Sequence, residues 1–183
     1  PLFDDFLPNN ILKIPDEISK EAIENFGGVP GRLEFIREIR DVRIYNDTCA
    51  TTPDATMAAL RALSSKQIIL ILGGSDKGLD MSKLVAEIPK YCKGVVLLPG
   101  TGTEKLISNS KFLISNVKNY SLKQPAAKKL REILKIPGEY NVSNALAVLQ
   151  VARILDISDE ITFETLSKYQ GSWRRFEVKE GSA

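Results

Sequence analysis

The sequence predicts an α/β domain with a mainly parallel, Rossmann-like sheet, followed by an all-helical segment. Two continuous apolar runs, at residues 68–72 and 95–98, each lead into glycine-containing turns, as buried parallel strands do. Helical patterns alternate with these runs, and a strand–helix–strand–helix–strand order is typical of doubly wound α/β folds. After residue 118 only helical patterns remain.

The first part of the chain opens with a helix and a hairpin. Apolar residues recur at helical spacing in residues 16–26, DEISKEAIENF, which predicts a short amphipathic helix, and GGVPGR then breaks the pattern. Residues 33–39 and 42–47 predict two strands that are joined by a tight turn at Arg40 and Asp41.

The α/β elements then follow in a regular order. Thr52 followed by Pro53 is a typical helix start, so a helix is predicted from there through DATMAALRALS. The remaining predicted elements are a fully buried strand at 67–74, a helix at 81–92 that Pro89 limits, a buried strand at 94–100, a helix that begins at 101, and three helices at 124–134, 142–155 and 157–169.

The composition is that of an ordinary soluble globular domain. Of the 183 residues, 43% are hydrophobic and 26% are charged, and the net charge of +2 gives no argument for binding nucleic acid or an anionic membrane. No apolar run approaches the roughly 20 residues that a membrane span needs, and the acidic N-terminus lacks the apolar core of a signal peptide. We therefore expect a cytoplasmic protein with no nucleic-acid or membrane partner.

The chain contains no histidine and only two cysteines, Cys49 and Cys92. The absence of histidine excludes Ser-His-Asp and Cys-His catalysis and most zinc sites, and no metal site is predicted. Two cysteines do not form a disulfide framework, which is typical of a reducing compartment. Because no neighbouring base is evident, an inert role for Cys49 is favoured over a nucleophilic one, and no residue is singled out as catalytic.

Polar residues follow three of the predicted strands, at 46–48, 73–77 and 99–103. In an open α/β sheet, ligands bind beyond the carboxyl ends of the strands. Lys77 supplies a positive charge for a carboxylate or phosphate, and Asp47 could hold a metal ion or a sugar hydroxyl. The alternative interpretation is that these are ordinary turn and cap residues.

An internal similarity links the two ends of the chain. Residues 16–35 align without gaps onto residues 159–178, and a shared Gly-x-x-x-Arg-x-Glu pattern places Arg32 opposite Arg175. Two copies are too few for a solenoid, and chance similarity between two helices is the alternative. Trp173, beside the second copy's arginines, could stack on a base, although a lone tryptophan is more often a packing residue.

At this point the chain resembles the Mur ligase family. The runs GRLEFIREIRDVRIYNDTCATTPDATMAALRAL, ILILGGSDKGLDMSKL and VVLLPGTGTEKL resemble that family's C-terminal domain, and are most similar to its D-glutamate-adding members. A later run, LKIPGEYNVSNALAVLQVARIL followed by ITFETLSKYQGSWRRFE, resembles the end of the central ATPase domain. The resemblance implies a helical junction segment at 1–31, a partial C-terminal-like α/β domain at 32–118 and a central-domain-like helical segment at 119–183. It also explains the internal similarity as two copies of the domain junction.

The resemblance implies part of an ATP-dependent amide ligase of peptidoglycan synthesis. Such enzymes phosphorylate a carboxylate to an acyl phosphate, which the amine of an amino acid attacks, while Mg²⁺ neutralises the phosphates. The implied cofactors are ATP and Mg²⁺. The implied substrates are D-glutamate and UDP-N-acetylmuramoyl-L-alanine (UDP-MurNAc-L-alanine), and the implied partners are the remaining ligase domains.

The resemblance also assigns roles to six residues. The nucleotide-binding positions are Arg32, Asp47, Asn144 and Arg175, and the positions that hold the incoming D-glutamate are Thr51 and Lys77. It implies that the small side chains of NDTCAT, residues 46–51, leave room for both the nucleotide and the amino acid.

The sequence also departs from the family pattern. Cys49 stands where some members have lysine, Gly31 where a histidine is usual, and Tyr140 where the histidine of a His-Asn pair is usual. No segment matches the phosphate loop G-x-x-x-x-G-K-[ST], since Lys105 in PGTGTEKL is followed by Leu106. We therefore expect that this chain alone does not turn over ATP. Two alternatives stay open: a non-catalytic α/β binding or scaffold module derived from a Mur ligase, and a Mur ligase with another acceptor such as L-alanine or a peptide.

Overall fold

The computed structural model describes residues 14–64, 67–108, 117–119 and 125–171. The chain divides into two compact units, of which the first ends at Thr51 and the second begins at Thr52. In the first unit, helix α1 spans Asp16–Glu24, strand β1 spans Glu34–Ile39 and strand β2 spans Val42–Asn46. The predicted first helix and the two predicted strands are confirmed.

Strands β1 and β2 form the predicted antiparallel hairpin, in which Ile39 lies opposite Val42 and the register shifts between Phe35 and Arg37. Arg40 and Asp41 form the turn and have φ values of 48° and 63°. Two-residue hairpin turns favour this left-handed backbone because its twist matches that of the strands. The hairpin is therefore held by its backbone ladder and its turn.

The first unit buries very little apolar surface. Among its described residues, Gly31 alone is buried, and most large apolar side chains of α1 and the hairpin are exposed, with Val42 and Tyr45 half-buried. The rings of Phe35 and Tyr45 contact each other across the hairpin, with centroids 5.5 Å apart. Cross-strand pairs of this kind contribute about 0.2–1 kcal/mol each, so the order of this unit depends on hydrogen bonds and pairwise contacts.

The second unit begins with the α/β elements. In chain order these are α2 (Pro53–Leu63), β3 (Ile68–Gly73), α3 (Ser82–Tyr91), β4 (Cys92–Leu98), α4 (Thr101–Ser108) and β5 (Val117–Asn119). Helix α2 begins as predicted, because the Thr52 side chain accepts a hydrogen bond from the Ala55 N–H and Pro53 occupies the first helical position.

The three described strands of the second unit form one parallel sheet in the order β3-β4-β5. Parallel strands need crossover connections, and α3 and α4 supply them in sequence. The predicted α/β class with a parallel sheet is confirmed.

Three helices follow the sheet: α5 (Pro125–Ile133), α6 (Glu139–Ile154) and α7 (Asp159–Ser167). They share an apolar cluster to which Leu130 of α5, Leu146 and Leu149 of α6 and Phe163 of α7 contribute. The three helices predicted after residue 118 are confirmed.

Strand β4 is covered on both faces. On one face Val95 and Leu97 pack with apolar residues of α2 and α3, which include Leu60, Leu84 and Ile88. On the other face Val96 packs with Ala147 of α6, and Val151 and Ile154 complete the contact. Helix α6 therefore belongs both to the helical cluster and to the second layer on the sheet, as expected for a helix that is apolar over most of its circumference.

Two features of the sheet differ from the prediction. The strand predicted to be fully buried, β3, is only partly buried, and its Ile71 is 46% exposed. The reason is that, among the described strands, β3 is paired on one side only. Strand β5 was not predicted because three residues, two of them polar, are too short to show a period.

Among the described residues, the three polar strand ends belong to two sheets, so the expectation that they lie at one edge of a single sheet is wrong. The segment 46–48 follows the two-stranded hairpin, whereas 73–77 and 99–103 follow the parallel sheet. The sequence does not specify this difference, because an edge strand of a hairpin and a strand of a parallel sheet end in similar polar residues.

The packing of α6 on the sheet leads to a stability prediction. Ala147 is 2% exposed against β4, whereas its neighbour Val148 is 46% exposed. We expect Ala147→Glu to lower the free energy of unfolding by about 3 kcal/mol or more, because it buries an unpaired charge. Val148→Glu, the matched control, is expected to change it by less than about 0.5 kcal/mol. Urea denaturation followed by circular dichroism measures both, and equal effects would contradict the described packing.

Candidate functional site

The polar end of strand β2 is fixed to the turn that precedes β1. The Leu33 N–H donates to Asp47 Oδ1 at 2.9 Å. Glu34 Oε2 accepts from the Gly31 N–H at 2.8 Å and from Asn46 Nδ2 at 3.0 Å. These bonds hold Asp47 against Leu33, the residue next to Arg32. The two predicted nucleotide-binding residues of the first unit therefore lie in one hydrogen-bonded turn.

Asp47 is half-buried, whereas the Arg32 side chain is exposed. One oxygen of the Asp47 carboxylate accepts the hydrogen bond from the Leu33 N–H. This bond is sufficient to account for the position of the carboxylate. Among the described residues, Arg32 is held through its main chain, where its N–H donates to the Val29 carbonyl at 3.0 Å. Its guanidinium therefore presents five donors at the surface, in the fork that suits a phosphate or a carboxylate.

The loop from Asp47 to Thr51 curls back on itself. The Cys49 N–H donates to the Gly31 carbonyl at 2.9 Å, and the Ala50 N–H donates to the Asp47 carbonyl at 2.9 Å. The Thr51 N–H donates to the Cys49 carbonyl at 3.0 Å, and the Thr51 side chain is exposed. Thr51, the residue of this unit that is predicted to bind the incoming amino acid, therefore comes directly before Thr52, the N-cap of α2.

In the second unit, Lys77 lies in the loop that follows β3. The Asp76 N–H donates to Thr101 Oγ1 at 2.9 Å, and the Gly102 N–H donates to the Gly74 carbonyl at 2.9 Å. Both bonds connect the loop to the first turn of α4. Lys77 itself is exposed and, within the described part of the chain, has no carboxylate partner.

Asp76 is the most highly connected side chain of this loop. Its Oδ1 accepts from the Gly78 N–H at 2.9 Å, and Lys105 Nζ lies 3.1 Å from Oδ2 and 3.3 Å from Oδ1. The Gly78 hydrogen bond and then the Lys105 ammonium hold the pKa of Asp76 below its usual value. A carboxylate with a lowered pKa contributes stability above its ordinary pKa and loses that contribution as pH falls through the lowered value.

Glycines allow the ends of β3 and β4 to approach each other closely. Strand β3 ends at Gly73, which Gly74 follows, and Gly100 lies two residues after the end of β4. Gly100 has a φ of 151°, and a Cβ there would lie within 3 Å of the carbonyl oxygen, carbonyl carbon and Cα of Gly74. The Thr103 hydroxyl donates to the Leu98 carbonyl and satisfies it at the strand end. A pocket of about 340 Å³ lies beside this loop and is lined by residues 78–82, Lys105 and Leu106.

Asn144 lies on helix α6 and is exposed. Asn141, one turn earlier, is buried, and its Nδ2 donates to the Pro137 carbonyl at 2.6 Å. The buried asparagine therefore has a structural role at the start of α6, and the exposed one is available to a ligand. Arg175 and Trp173 lie outside the described residues.

The predicted residues thus fall in both units. Arg32, Asp47 and Thr51 lie in the first, and Lys77 and Asn144 lie in the second. Asp76, Thr101 and Lys105 organise the Lys77 loop but were not predicted as site residues. The sequence feature that could have indicated two of them is the spacing of Thr101 and Lys105, which are four residues apart and so share one face of α4.

The described residues do not indicate a metal site, and the buried thiol of Cys92 is not activated. They contain no group of three or more histidine, cysteine or acidic residues that could hold a metal ion. Burial raises the pKa of Cys92 to about 11, so this thiol stays protonated at neutral pH.

Within the described part of the chain, no helix combines the length and apolarity needed to cross a membrane.

Comparison with known proteins decides the family. Residues 31–137, more than half of the chain, match the family described as Mur ligase, glutamate ligase domain. The chain belongs to the Mur ligase family. The match begins at the turn that positions Arg32 and Asp47 and includes the whole Lys77 loop.

Three relatives of this Mur ligase chain are named UDP-N-acetylmuramoylalanine–D-glutamate ligase. The protein from Roseiflexus sp. (strain RS-1) is 49% identical over 92 residues, 50% of this chain and 19% of that protein. Those from Aquifex aeolicus (strain VF5) and Clostridium botulinum (strain Alaska E43 / Type E3) are each 38% identical, over 68% and 72% of this chain. The chain spans between about a fifth and a third of the length of these relatives.

Gly31 and Cys49 contact each other. Gly31 has a φ of 77°, and a Cβ there would lie 3.0 Å from the Cys49 sulfur. A side chain at position 31 would therefore be both strained and crowded here, so the two positions depend on each other.

The bond between Asp47 and Leu33 leads to a local prediction. We expect Asp47→Ala to speed hydrogen exchange at the Leu33 amide by about 5- to 30-fold, because a net hydrogen-bond contribution of about 1–2 kcal/mol is lost. Asp47→Asn, the matched control, keeps the acceptor oxygen and is expected to stay within about threefold of the parent. Exchange measured by NMR spectroscopy checks both, and unchanged protection in Asp47→Ala would contradict the described contact.

The close approach at Gly100 leads to a second prediction. We expect Gly100→Ala to lower the free energy of unfolding by about 2 kcal/mol or more, because the added methyl group overlaps Gly74 and the backbone is strained. Gly27→Ala is the control, since a Cβ there meets nothing within 4 Å and the φ is ordinary. Thermal unfolding compares the two, and equal midpoints would show that the two strand ends are not in contact.

Proposed function

We propose that this chain forms the amino-acid-binding part of a ligase that adds D-glutamate to UDP-MurNAc-L-alanine through an acyl phosphate, in peptidoglycan synthesis. The observation that carries the proposal is the Lys77 loop. An exposed ammonium that has no carboxylate partner among the described residues is presented there by an ordered turn at the carboxyl edge of a parallel sheet. The identity of the amino acid is taken from the relatives, which are named as D-glutamate ligases.

Lys77 and Thr51 are the proposed contacts to D-glutamate. An ammonium–carboxylate hydrogen bond is charge-assisted and stronger than a neutral one, so Lys77 supplies most of the affinity. The Thr51 hydroxyl can donate to a carboxylate or accept from the amine. Both side chains are exposed, which a ligand contact requires.

Arg32, Asp47, Asn144 and Arg175 are the proposed nucleotide contacts. A guanidinium suits phosphate oxygens, a half-buried carboxylate suits a ribose hydroxyl, and an amide suits the edge of a base. The ordered Asp47–Leu33 contact supports this for the first two residues. Asn144 and Arg175 remain proposals from the family resemblance.

The described residues do not fit a complete site for ATP and Mg²⁺. The sequence has no phosphate-loop pattern, and the described residues hold no cluster of metal ligands. We therefore propose that the residues of this chain contact ATP only at its periphery. The expected result is that the chain alone releases no phosphate from ATP in the presence of UDP-MurNAc-L-alanine and D-glutamate. Phosphate release would contradict this part of the proposal.

The amino-acid site is tested by substitution of Lys77. We expect the chain to bind D-glutamate in an NMR titration and Lys77→Ala to weaken binding at least tenfold, because a charge-assisted bond is lost. Lys83→Ala, which removes another exposed lysine of the same unit, is the matched control and is expected to bind like the parent. Parallel titrations with L-alanine and L-glutamate test the choice of acceptor. Equal affinities of the parent and Lys77→Ala would exclude Lys77 as the carboxylate contact.

A further inference from the structure

We infer that Lys105 and Asp76 form a clamp that fixes the loop carrying Lys77, so that Lys105 is a positioning residue for acceptor binding. The inference rests on the proposed function, in which Lys77 binds a carboxylate of D-glutamate. The clamp is defined here as the Lys105 ammonium, the Asp76 carboxylate and the Gly78 N–H.

The clamp encloses Lys77 along the chain. Asp76 Oδ1 accepts from the Gly78 N–H at 2.9 Å, so the carboxylate closes a turn around the residue between them. Lys105 Nζ contacts both oxygens of that carboxylate, at 3.1 and 3.3 Å, and lies 3.5 Å from the Leu79 carbonyl oxygen. One ammonium group therefore contacts the loop on both sides of Lys77.

Lys105 is presented by a helix whose own position is fixed. Leu106 is 1% exposed and belongs to the main core cluster of the second unit. Thr103 is buried, and its hydroxyl donates to the carbonyl at the end of β4. Thr101 Oγ1 accepts from the Asp76 N–H, so the same helix also holds the backbone of the loop. The clamp therefore connects the Lys77 loop to the rigid core.

Lys105 also removes a competitor for Lys77. Asp76 is the residue next to Lys77, and a carboxylate without another partner would attract the neighbouring ammonium. Because Asp76 is already bound by Lys105 and Gly78, Lys77 is left available to a carboxylate of the ligand. An exposed ion pair adds little to global stability, so the effect of the clamp is expected in binding and local order rather than in unfolding.

The experiment compares variants of the full chain by two independent readouts. The first is NMR spectroscopy without ligand. It measures hydrogen exchange at the Gly78 amide and the pH dependence of the chemical shift of the Asp76 carboxyl carbon. The second is the dissociation constant for D-glutamate. The variants are Lys105→Met, Lys105→Arg and the double variant Lys77→Ala/Lys105→Met. Lys168→Met is the matched control, because it breaks an exposed lysine–carboxylate pair in α7.

In Lys105→Met, we expect Gly78 exchange to accelerate about three- to tenfold, the Asp76 carboxyl to titrate at higher pH, and D-glutamate affinity to fall about three- to tenfold. Lys105→Arg keeps the charge and is expected to restore all three to within about twofold. Lys168→Met is expected to change none of them. In the Lys77→Ala background, Lys105→Met is expected to have no further effect on binding, because it acts through Lys77.

The two readouts separate failure of this inference from failure of the proposed function. If the parent chain does not bind D-glutamate, the proposed function fails, while Gly78 exchange and Asp76 titration still decide whether the clamp exists. If Lys105→Met leaves those two unchanged, the clamp is overturned. If it changes them but leaves D-glutamate affinity unchanged, the role of Lys105 in acceptor binding is overturned.

Discussion

Burial of strand β4 on both faces is the constraint on which the second unit depends. Val95, Val96 and Leu97 are each fully buried, although adjacent residues of a strand point to opposite faces. Such a strand requires an apolar layer on each side, since an uncovered face would leave side chains like Val96 in water. Helices α2 and α3 provide one layer, and α6 provides the other. The helical segment is thus an integral part of the α/β unit.

The position of the candidate site follows from the same strand. In the parallel register Gly73 lies opposite Leu98, so β3 and β4 end at the same level and their loops emerge side by side. Glycines at the two ends allow the backbones to approach, and the first turn of α4 then reaches the loop that carries Lys77. The core consequently fixes the loop geometry without any residue of the loop being buried.

The sequence predicted the elements more completely than their arrangement. The two strand segments that contain Phe35 and Tyr45, the turn at Arg40 and Asp41 and the cap at Thr52 are local signals, and each produced the expected structure. The partial exposure of Ile71 depends on which strands flank β3, and this is a tertiary property that no local pattern records. Family resemblance supplied the site residues, because their types alone are also those of ordinary turns.

The contact between Lys105 and Asp76 could not be predicted from the sequence. Lys105 has the pattern of a surface lysine in a short helix, and its partner Asp76 has that of a turn residue 29 positions earlier. Only the parallel crossover that brings α4 over the end of β3 places them together. The described residues that organise the Lys77 loop lie between Gly73 and Leu106, within the second unit. The order of this loop is therefore generated by contacts inside one short segment of the chain. The parallel crossover makes those contacts possible, because it places the first turn of α4 beside the end of β3.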